Sequence, residues 1–210
     1  MYRADFVKKD ALAARAPEPA CGRPGSAKYC AGTNRTSDDR YVCGDSRLGP
    51  ARLPRKRPIG NLVFDYDRFD GLCPGPFLKK WTDATGAYVF PPESGFQLNT
   101  ASAPIAGNQS LPIGLRLDRF GSEFGRFLAP AWTPYEQRSL PPSSLDTPDN
   151  DPSFEFNYHQ YEVTKEFVVL SGPIAPWFGQ PGQGTQYQAF TNVMTLISGG
   201  FLRALNASEF

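Results

Sequence analysis

The side chains best suited to chemistry are arginines, glutamines and aromatic residues concentrated between residues 118 and 187. The chain has a single histidine, His159, which excludes a metal site built from several histidines. It contains no G-x-S-x-G segment, no P-loop and no G-x-G-x-x-G fingerprint, so the standard hydrolase and nucleotide-binding motifs are absent. Arginine binds phosphate through two donors, and aromatic rings stack on flat heterocycles. These residue types suit a dinucleotide without identifying one.

Four segments in this region have a distinctive order and spacing. They are D-R-F-G (118–121) with G-R-F-L-A-P (125–130), T-P-Y-E-Q-R-S-L-P-P (133–142), Y-H-Q-Y-E-V (158–163), and G-P-I-A-P-W-F-G-Q-P-G (172–182) with G-T-Q-Y (184–187). In this order they resemble the tuberculosis necrotizing toxin domain and its fungal relatives, which are secreted glycohydrolases of nicotinamide adenine dinucleotide (NAD). The resemblance covers about residues 110–205, and the cysteine-bearing N-terminal part resembles the arm of the fungal enzymes and not the bacterial toxins.

The resemblance implies three catalytic positions. Gln186 matches the catalytic glutamine of the family, Arg138 matches an arginine that binds the pyrophosphate, and Phe127 occupies the position of an aromatic residue beside nicotinamide. Each has a structural alternative. Gln186 is otherwise a polar residue at a strand end, Arg138 a surface partner of Glu136 or a nearby acid, and Phe127 an ordinary core residue.

Four further residues are predicted by the same resemblance to contact the substrate. Arg119 matches a second family arginine, and His159 lies where the toxins have a histidine. Tyr135 and Trp177 are predicted to form parts of the wall. The alternatives are a loop brace for Arg119, a structural histidine for His159 and packing for the two aromatic residues.

The predicted reaction is hydrolysis of the bond between nicotinamide and ribose in NAD or NADP. Glycosidases of sugars need two carboxyl groups because the leaving alkoxide must be protonated. Nicotinamide is a pyridinium that leaves as a neutral base, so a site without a general acid is sufficient. The alternatives are an ADP-ribosyltransferase or cyclase on the same substrate, for which no E-x-E motif is found, and a non-enzymatic surface module. No cofactor is required, and the fungal relatives imply a homodimer.

Three features depart from the family pattern. Trp132 stands where the family usually has glycine, and a large ring there could narrow or cap the cleft. Residues 147–156 form an insertion rich in aspartate and proline. Some fungal members bind calcium through acidic residues near the C-terminus, whereas this sequence ends at Glu209-Phe210, so we expect that site to be missing or incomplete.

Composition indicates a globular, neutral protein. The 210 residues are 40% hydrophobic, and the net charge is +1, so neither nucleic acid nor an acidic membrane surface is a predicted partner. No stretch approaches the ~18–20 apolar residues of a membrane span. Met1 is followed by no apolar signal segment, which does not exclude secretion of a mature chain.

Cysteines and glycosylation sequons predict an oxidising compartment, either secreted or at the cell surface. The four cysteines lie in the first third of the chain without a C-x-x-C spacing, which favours two disulfides over zinc. Three pairings are possible, and we favour Cys21–Cys73 with Cys30–Cys43. Sequons begin at three asparagines: Asn34, Asn108 and Asn206.

The predicted fold is α+β, with a strand-dominated core around a central, mostly antiparallel twisted sheet, long loops and a disulfide-stapled N-terminal arm. Alternating patterns predict strands over 114–121, 158–163, 166–172 and 184–190, and an extended segment over 62–66. Residues 86–92 are strand-like, and residues 122–130 are predicted to be a loop. Short helices are predicted over 10–15 and over 193–205, the second interrupted at Gly199-Gly200. We place the arm at 1–85 and the catalytic core at 86–210.

Overall fold

The computed structural model describes residues 21–206 and residue 209. Its centre is a seven-stranded sheet in the order β1-β5-β6-β3-β2-β4-β7, in which every neighbouring pair is antiparallel. Three helices accompany it, α1 (Ile59–Leu62), α2 (Pro74–Trp81) and α3 (Val193–Ser198). The strands are β1 (Gly107–Leu111), β2 (Arg116–Phe120), β3 (Phe127–Pro130), β4 (Tyr158–Val163), β5 (Phe167–Pro173), β6 (Thr185–Ala189) and β7 (Leu202–Ala204). The predicted fold class is confirmed.

Strand alternation assigns the two faces of the sheet. On one face, Leu117, Tyr161 and Val169 pack with Val193 and Leu196 of α3 to form the main hydrophobic core. The opposite face carries Phe120 and Tyr158, which pack against Leu62, Val63 and Tyr66 from the arm and against Tyr135. The sheet is therefore covered on both sides, and the arm supplies one of the two layers.

A third hydrophobic cluster attaches the arm to the core. Leu48, Phe69, Phe77 and Leu78 from the arm pack around Phe178, which lies beyond the predicted boundary at residue 85. Disulfides Cys21–Cys73 and Cys30–Cys43 close the arm, as predicted, and no cysteine in the described residues is free. The arm is short of regular elements, so these crosslinks and aromatic contacts hold its shape.

Several local predictions were wrong. Residues 62–66 are not extended, because Leu62 ends α1, and residues 86–92 form no strand beyond one bridge between Thr82 and Tyr88. The predicted loop over 122–130 contains β3, which is held between β2 and β6. The C-terminal helix stops at Ser198, at the predicted interruption before Gly199 and Gly200, but it does not resume: the chain returns as β7 beside β4. The helix predicted over 10–15 lies outside the described residues.

Asp146, beside the arm, predicts a stability that depends on pH. Burial raises the pKa of its carboxyl to about 8, although the charges of Arg68 and Arg40 oppose the shift, and its Oδ1 is buried without a hydrogen-bond partner. Between the unfolded value near 4 and this pKa, the folded state holds a proton that the unfolded chain has lost, so stability falls as pH rises.

We expect the free energy of unfolding to drop about 1–2 kcal/mol more between pH 5 and pH 8 in the native protein than in Asp146→Asn. The expected drop is smaller than the ~1.4 kcal/mol per pH unit that one fully shifted group would contribute, because the Asp146 carboxyl is partly exposed and water screens it. Urea unfolding of both proteins at the two pH values provides the measurement. Parallel pH profiles in the two proteins would show that Asp146 does not titrate in this way.

Candidate active site

Six of the residues that line one small hollow lie on, or facing, the arm-covered face of the sheet. Asp118 and Ala129 are cross-strand partners, and Phe127 is the partner of Gln188. Gln186 lies two residues before Gln188 on the same strand, β6. Cross-strand partners and alternate residues of a strand share a face. The hollow has a volume of about 50 Å³ and is lined chiefly by Asp118, Phe120, Phe127, Ala129, Arg138 and Gln186. The structure thus brings together the three residues predicted to be catalytic.

Gln186 lies on β6 with its amide held in one orientation. Its Nε2 donates a hydrogen bond to the carbonyl of Ser94 at 3.0 Å, and its cross-strand partner is Gly172, which has no side chain to cover it. Glu93, Ser94 and Gly95 all have positive φ, so the chain turns sharply where it meets Gln186. Among the described residues nothing donates to Gln186 Oε1, which leaves this oxygen available to a ligand.

Arg138 is buried and forms an ion pair at the base of the hollow. Its Nη2 donates to Asp118 Oδ1 at 2.6 Å, and both Nη2 and Nε donate to the carbonyl of Thr133 at 2.8 and 2.9 Å. The guanidinium also lies over the ring of Phe120, with Cζ 5.1 Å from its centroid. Of its nitrogens only Nη1 lacks a hydrogen bond to the described residues.

Asp118 is the centre of this buried polar cluster. Besides Arg138, it accepts hydrogen bonds from the hydroxyl of Tyr158 at 2.8 Å and from the backbone N–H of Trp132 at 3.0 Å. Tyr158 accepts in turn from Gln160 Nε2 at 2.8 Å. Burial raises the pKa of Asp118, and the charge of Arg138 and these hydrogen bonds act against that rise. Asp118 was given no role from the sequence, although it directly precedes Arg119 in the D-R-F-G segment.

Trp132 explains the family's preference for glycine at this position. Its φ of 71° lies in the left-handed region, which glycine adopts without the steric cost that other residues incur. The conformation aims its N–H at Asp118. The indole is 45% exposed and is not among the residues that line the hollow.

Arg119 borders the hollow but its guanidinium braces the loop between β2 and β3. Nε donates to the carbonyls of Gly121 and Ser122 at 3.1 and 2.8 Å, and Nη1 donates to that of Phe127 at 2.6 Å. A Cβ at Gly125 would lie 2.0 Å from Nη2, so a larger residue there would displace the guanidinium. Burial lowers the pKa of Arg119. The alternative interpretation of this residue as a loop brace agrees with these contacts.

His159 lies on the other face of the sheet from Gln186. It is the cross-strand partner of Arg119, next to the pair formed by Leu117 and Tyr161 in the main core. Its ring stacks on Phe154 at 4.2 Å, and Nε2 is 3.1 Å from Asn157 Oδ1. Nδ1 is buried without a hydrogen bond, 3.7 Å from Glu123, and burial lowers the pKa of the ring.

The two aromatic residues predicted to form the wall take part in packing instead. Tyr135 is 0% exposed, and its hydroxyl donates to the carbonyl of Pro141 at 2.8 Å. Trp177 packs on Trp81 in the arm, and its indole N–H donates to the carbonyl of Val89 at 2.7 Å. Neither lines the hollow, because the chain turns both rings toward neighbouring core clusters.

Larger grooves occur on the arm, away from the candidate residues. One of about 980 Å³ is lined by Arg52, Arg55, Phe64 and Arg68, and one of about 690 Å³ by Arg40, Asp146 and their neighbours. Neither contains a residue for which the sequence predicted a catalytic or substrate-binding role. We therefore locate the active site at the smaller hollow, where the predicted residues converge.

Comparison with known proteins identifies the family of the chain. The family model described as Tuberculosis necrotizing toxin matches residues 110–205. The conidial surface nicotinamide adenine dinucleotide glycohydrolase nadA of Aspergillus fumigatus is 56% identical over 184 residues, which cover 86% of this chain and 77% of that protein. The chain belongs to the tuberculosis necrotizing toxin family. The matched residues 110–205 include every strand of the sheet except the first part of β1.

The solved structure of the family's namesake toxin has the same fold. In its complex with an immunity factor, that toxin superposes on 91% of this chain and 98% of its own, with a TM-score of 0.53 and 22% sequence identity. The superposition extends beyond the residues matched by the family model, so part of the arm also has a counterpart in the toxin's fold, contrary to the prediction that it resembles the fungal enzymes and not the bacterial toxins.

Three surface properties bear on the remaining predictions. The asparagines of all three sequons are exposed. Within the described residues, no group of three or more His, Cys, Asp or Glu side chains is arranged to hold a metal ion, and no helix is long and apolar enough to cross a membrane. The calcium prediction therefore stays a prediction.

Proposed function

We propose that this member of the tuberculosis necrotizing toxin family is an NAD glycohydrolase, which releases nicotinamide and ADP-ribose. One observation carries the proposal: Gln186 presents an unpartnered amide oxygen in a hollow that it shares with Phe127 and Arg138. The 56% identical fungal relative is named for this activity, which supports it further.

Cleavage of the bond between nicotinamide and ribose requires an oxygen dipole near the ribosyl carbon rather than an acid that protonates the leaving group. Nicotinamide departs as a neutral base, so the barrier lies in the positive charge that develops on the ribosyl carbon rather than in protonation of a leaving group. A carbonyl dipole fixed before the reaction stabilises such charge without reorganising. Gln186 Oε1 has this property, because the hydrogen bond from Nε2 to Ser94 prevents the amide from turning.

The other lining residues have complementary roles. Phe127, half-buried at the start of β3, bounds the nicotinamide ring, and Arg138 offers Nη1 toward the substrate while Asp118 holds the rest of its guanidinium. The hollow is smaller than the ~300–1,000 Å³ of sites that enclose a whole drug-sized ligand. We infer that only the reacting end of the dinucleotide enters it and that the remainder lies along the open mouth.

The test is incubation of the protein with NAD, followed by chromatography of every product. We expect free nicotinamide and free ADP-ribose in equal amounts. Nicotinamide with a cyclic product, or with ADP-ribose attached to protein, would assign the site to a cyclase or a transferase instead. Intact NAD after prolonged incubation with folded protein would exclude all three activities.

Several finer properties belong to the same proposal. We propose that NADP is also a substrate, that the enzyme needs no cofactor and that it acts at the cell surface or outside the cell. Support for that location comes from the two disulfides, the exposed sequons and the conidial surface named for the fungal relative. We also propose N-glycosylation at Asn34, Asn108 and Asn206, and a homodimer. Glycosidase digestion and sedimentation of protein from a eukaryotic host test the last two properties.

A further inference from the structure

The substrate's diphosphate needs positive charge, and the two arginines predicted from the sequence, Arg138 and Arg119, supply only part of it. Arg138 is neutralised by Asp118, and two of its three guanidinium nitrogens are bonded to protein oxygens. Arg119 donates hydrogen bonds from Nε and Nη1 to three backbone carbonyls between the end of β2 and the start of β3. A diphosphate outside the hollow therefore requires a further positive group at its mouth.

Arg126 is such a group. It is exposed and directly precedes Phe127, with its Cζ 6.0 Å from the centroid of that ring. No described carboxylate forms an ion pair with it. The absence of an acidic partner distinguishes it from Arg138, and its exposure leaves its charge accessible to a ligand anion.

A row of polar groups connects Arg126 to the catalytic glutamine. In the amide orientation that satisfies both of its polar ends, Gln188 Oε1 accepts from Arg126 Nη2 at 2.9 Å, from Nε at 3.3 Å and from the Ser94 hydroxyl at 3.3 Å. The carbonyl of the same Ser94 accepts from Gln186. Arg126, Gln188, Ser94 and Gln186 therefore form one continuous chain of hydrogen bonds beside Phe127.

This arrangement holds the guanidinium of Arg126 beside Phe127, which lines the hollow. Gln188 is nearly buried and is the cross-strand partner of Phe127, so its side chain has a fixed position on the pocket face. Its neutral oxygen holds Arg126 without cancelling the positive charge. A cation placed in this way is prepared for a phosphate, since less side-chain freedom is lost on binding.

We propose that Arg126 is a substrate-binding residue that contacts the phosphates of the dinucleotide at the mouth of the hollow. This inference rests on the proposed function, because it takes the hollow to be the site where nicotinamide is released. It adds a cation that lies in the G-R-F-L-A-P segment but for which the sequence predicted no role.

The test compares Arg126→Gln with the native protein in two measurements. Calorimetry is expected to show an ADP-ribose Kd about tenfold higher in the variant, which is the loss of one charge-assisted contact, with a much smaller change for nicotinamide. Steady-state kinetics are expected to place the loss for NAD mainly in KM, because the contact is made equally in the ground and transition states. Arg126→Lys should lie between the two, since it keeps the charge and loses the planar fork.

The matched control is Arg52→Gln, an exposed arginine on the arm, for which ADP-ribose affinity should equal that of the native protein. Equal ADP-ribose affinity in Arg126→Gln and the native protein would overturn the inference. Equal weakening of ADP-ribose and nicotinamide would overturn it as well, because that result indicates a structural role. Failure of the proposed function is a separate result: the native protein would release no nicotinamide from NAD, whatever its affinity for ADP-ribose.

Discussion

Gln186→Ala is expected to lower kcat for NAD hydrolysis by about 10²–10³-fold, which corresponds to ~2.7–4 kcal/mol of transition-state stabilisation. The physical reason is the loss of a carbonyl dipole in the hollow that the hydrogen bond to Ser94 fixes and that accepts from no donor among the described residues. The affinity for ADP-ribose should change much less, because the ribosyl charge exists only in the transition state. Nicotinamide release at saturating NAD provides the measurement.

The control for this prediction is Gln109→Ala, an exposed glutamine on the edge strand β1 and outside the hollow. It should retain the native kcat, and both variants should show native circular dichroism and thermal unfolding. A folded Gln186→Ala protein with kcat within threefold of the native value would remove Gln186 from the mechanism. The location of the site at this hollow would then lose its main support.

Asp118→Asn is expected to reduce the free energy of unfolding by about 3–5 kcal/mol, because it leaves the charge of Arg138 buried without a counterion. Asp118 is 0% exposed and accepts from Arg138, Tyr158 and the Trp132 N–H, so an amide nitrogen in its place also faces donors. Urea unfolding followed by tryptophan fluorescence measures the loss. We expect activity to fall in parallel, since Arg138 would no longer be held.

Two comparisons separate this effect from a general effect of charge. Glu162→Gln breaks a surface ion pair with Arg203 and should leave stability within experimental scatter, because exposed pairs contribute little. The double substitution Asp118→Leu with Arg138→Met removes both charges and should recover much of the stability without restoring activity. If Asp118→Asn unfolds at the same urea concentration as the native protein, the pair is not the structural centre of the site.

Local patterns predicted the central strands well. Residues 158–163 alternate between side chains of opposite faces, and β4 has the predicted bounds. β2 and β6 also lie within the predicted segments, and β5 extends one residue past its segment, because each combines alternation with glycine or proline at its ends. The order of the motifs identified the family, and it also pointed to three residues that line the same hollow. Motif positions can identify such residues because a shared site geometry requires the same residue types at the same places.

Non-local pairing was harder to predict. β3 has four residues and lies between β2 and β6, and its partner on β6 is about 60 residues away in the chain. β7 is shorter still and exists because its backbone pairs with β4. Neither segment has a pattern long enough to show a period, so tertiary hydrogen bonding decided their conformation.

The sequence by itself determined the residue types of the site, the main strands, the oxidised arm and the family. Only the tertiary structure decided which way each side chain points. Register placed Gln186 and Phe127 on one face of the sheet and turned His159 to the other, since a shift of one residue in pairing exchanges the faces. The fold brought Arg138 to an acidic partner in Asp118 and left Arg126 exposed without one among the described residues, because ion pairing depends on distances in space that no local spacing specifies.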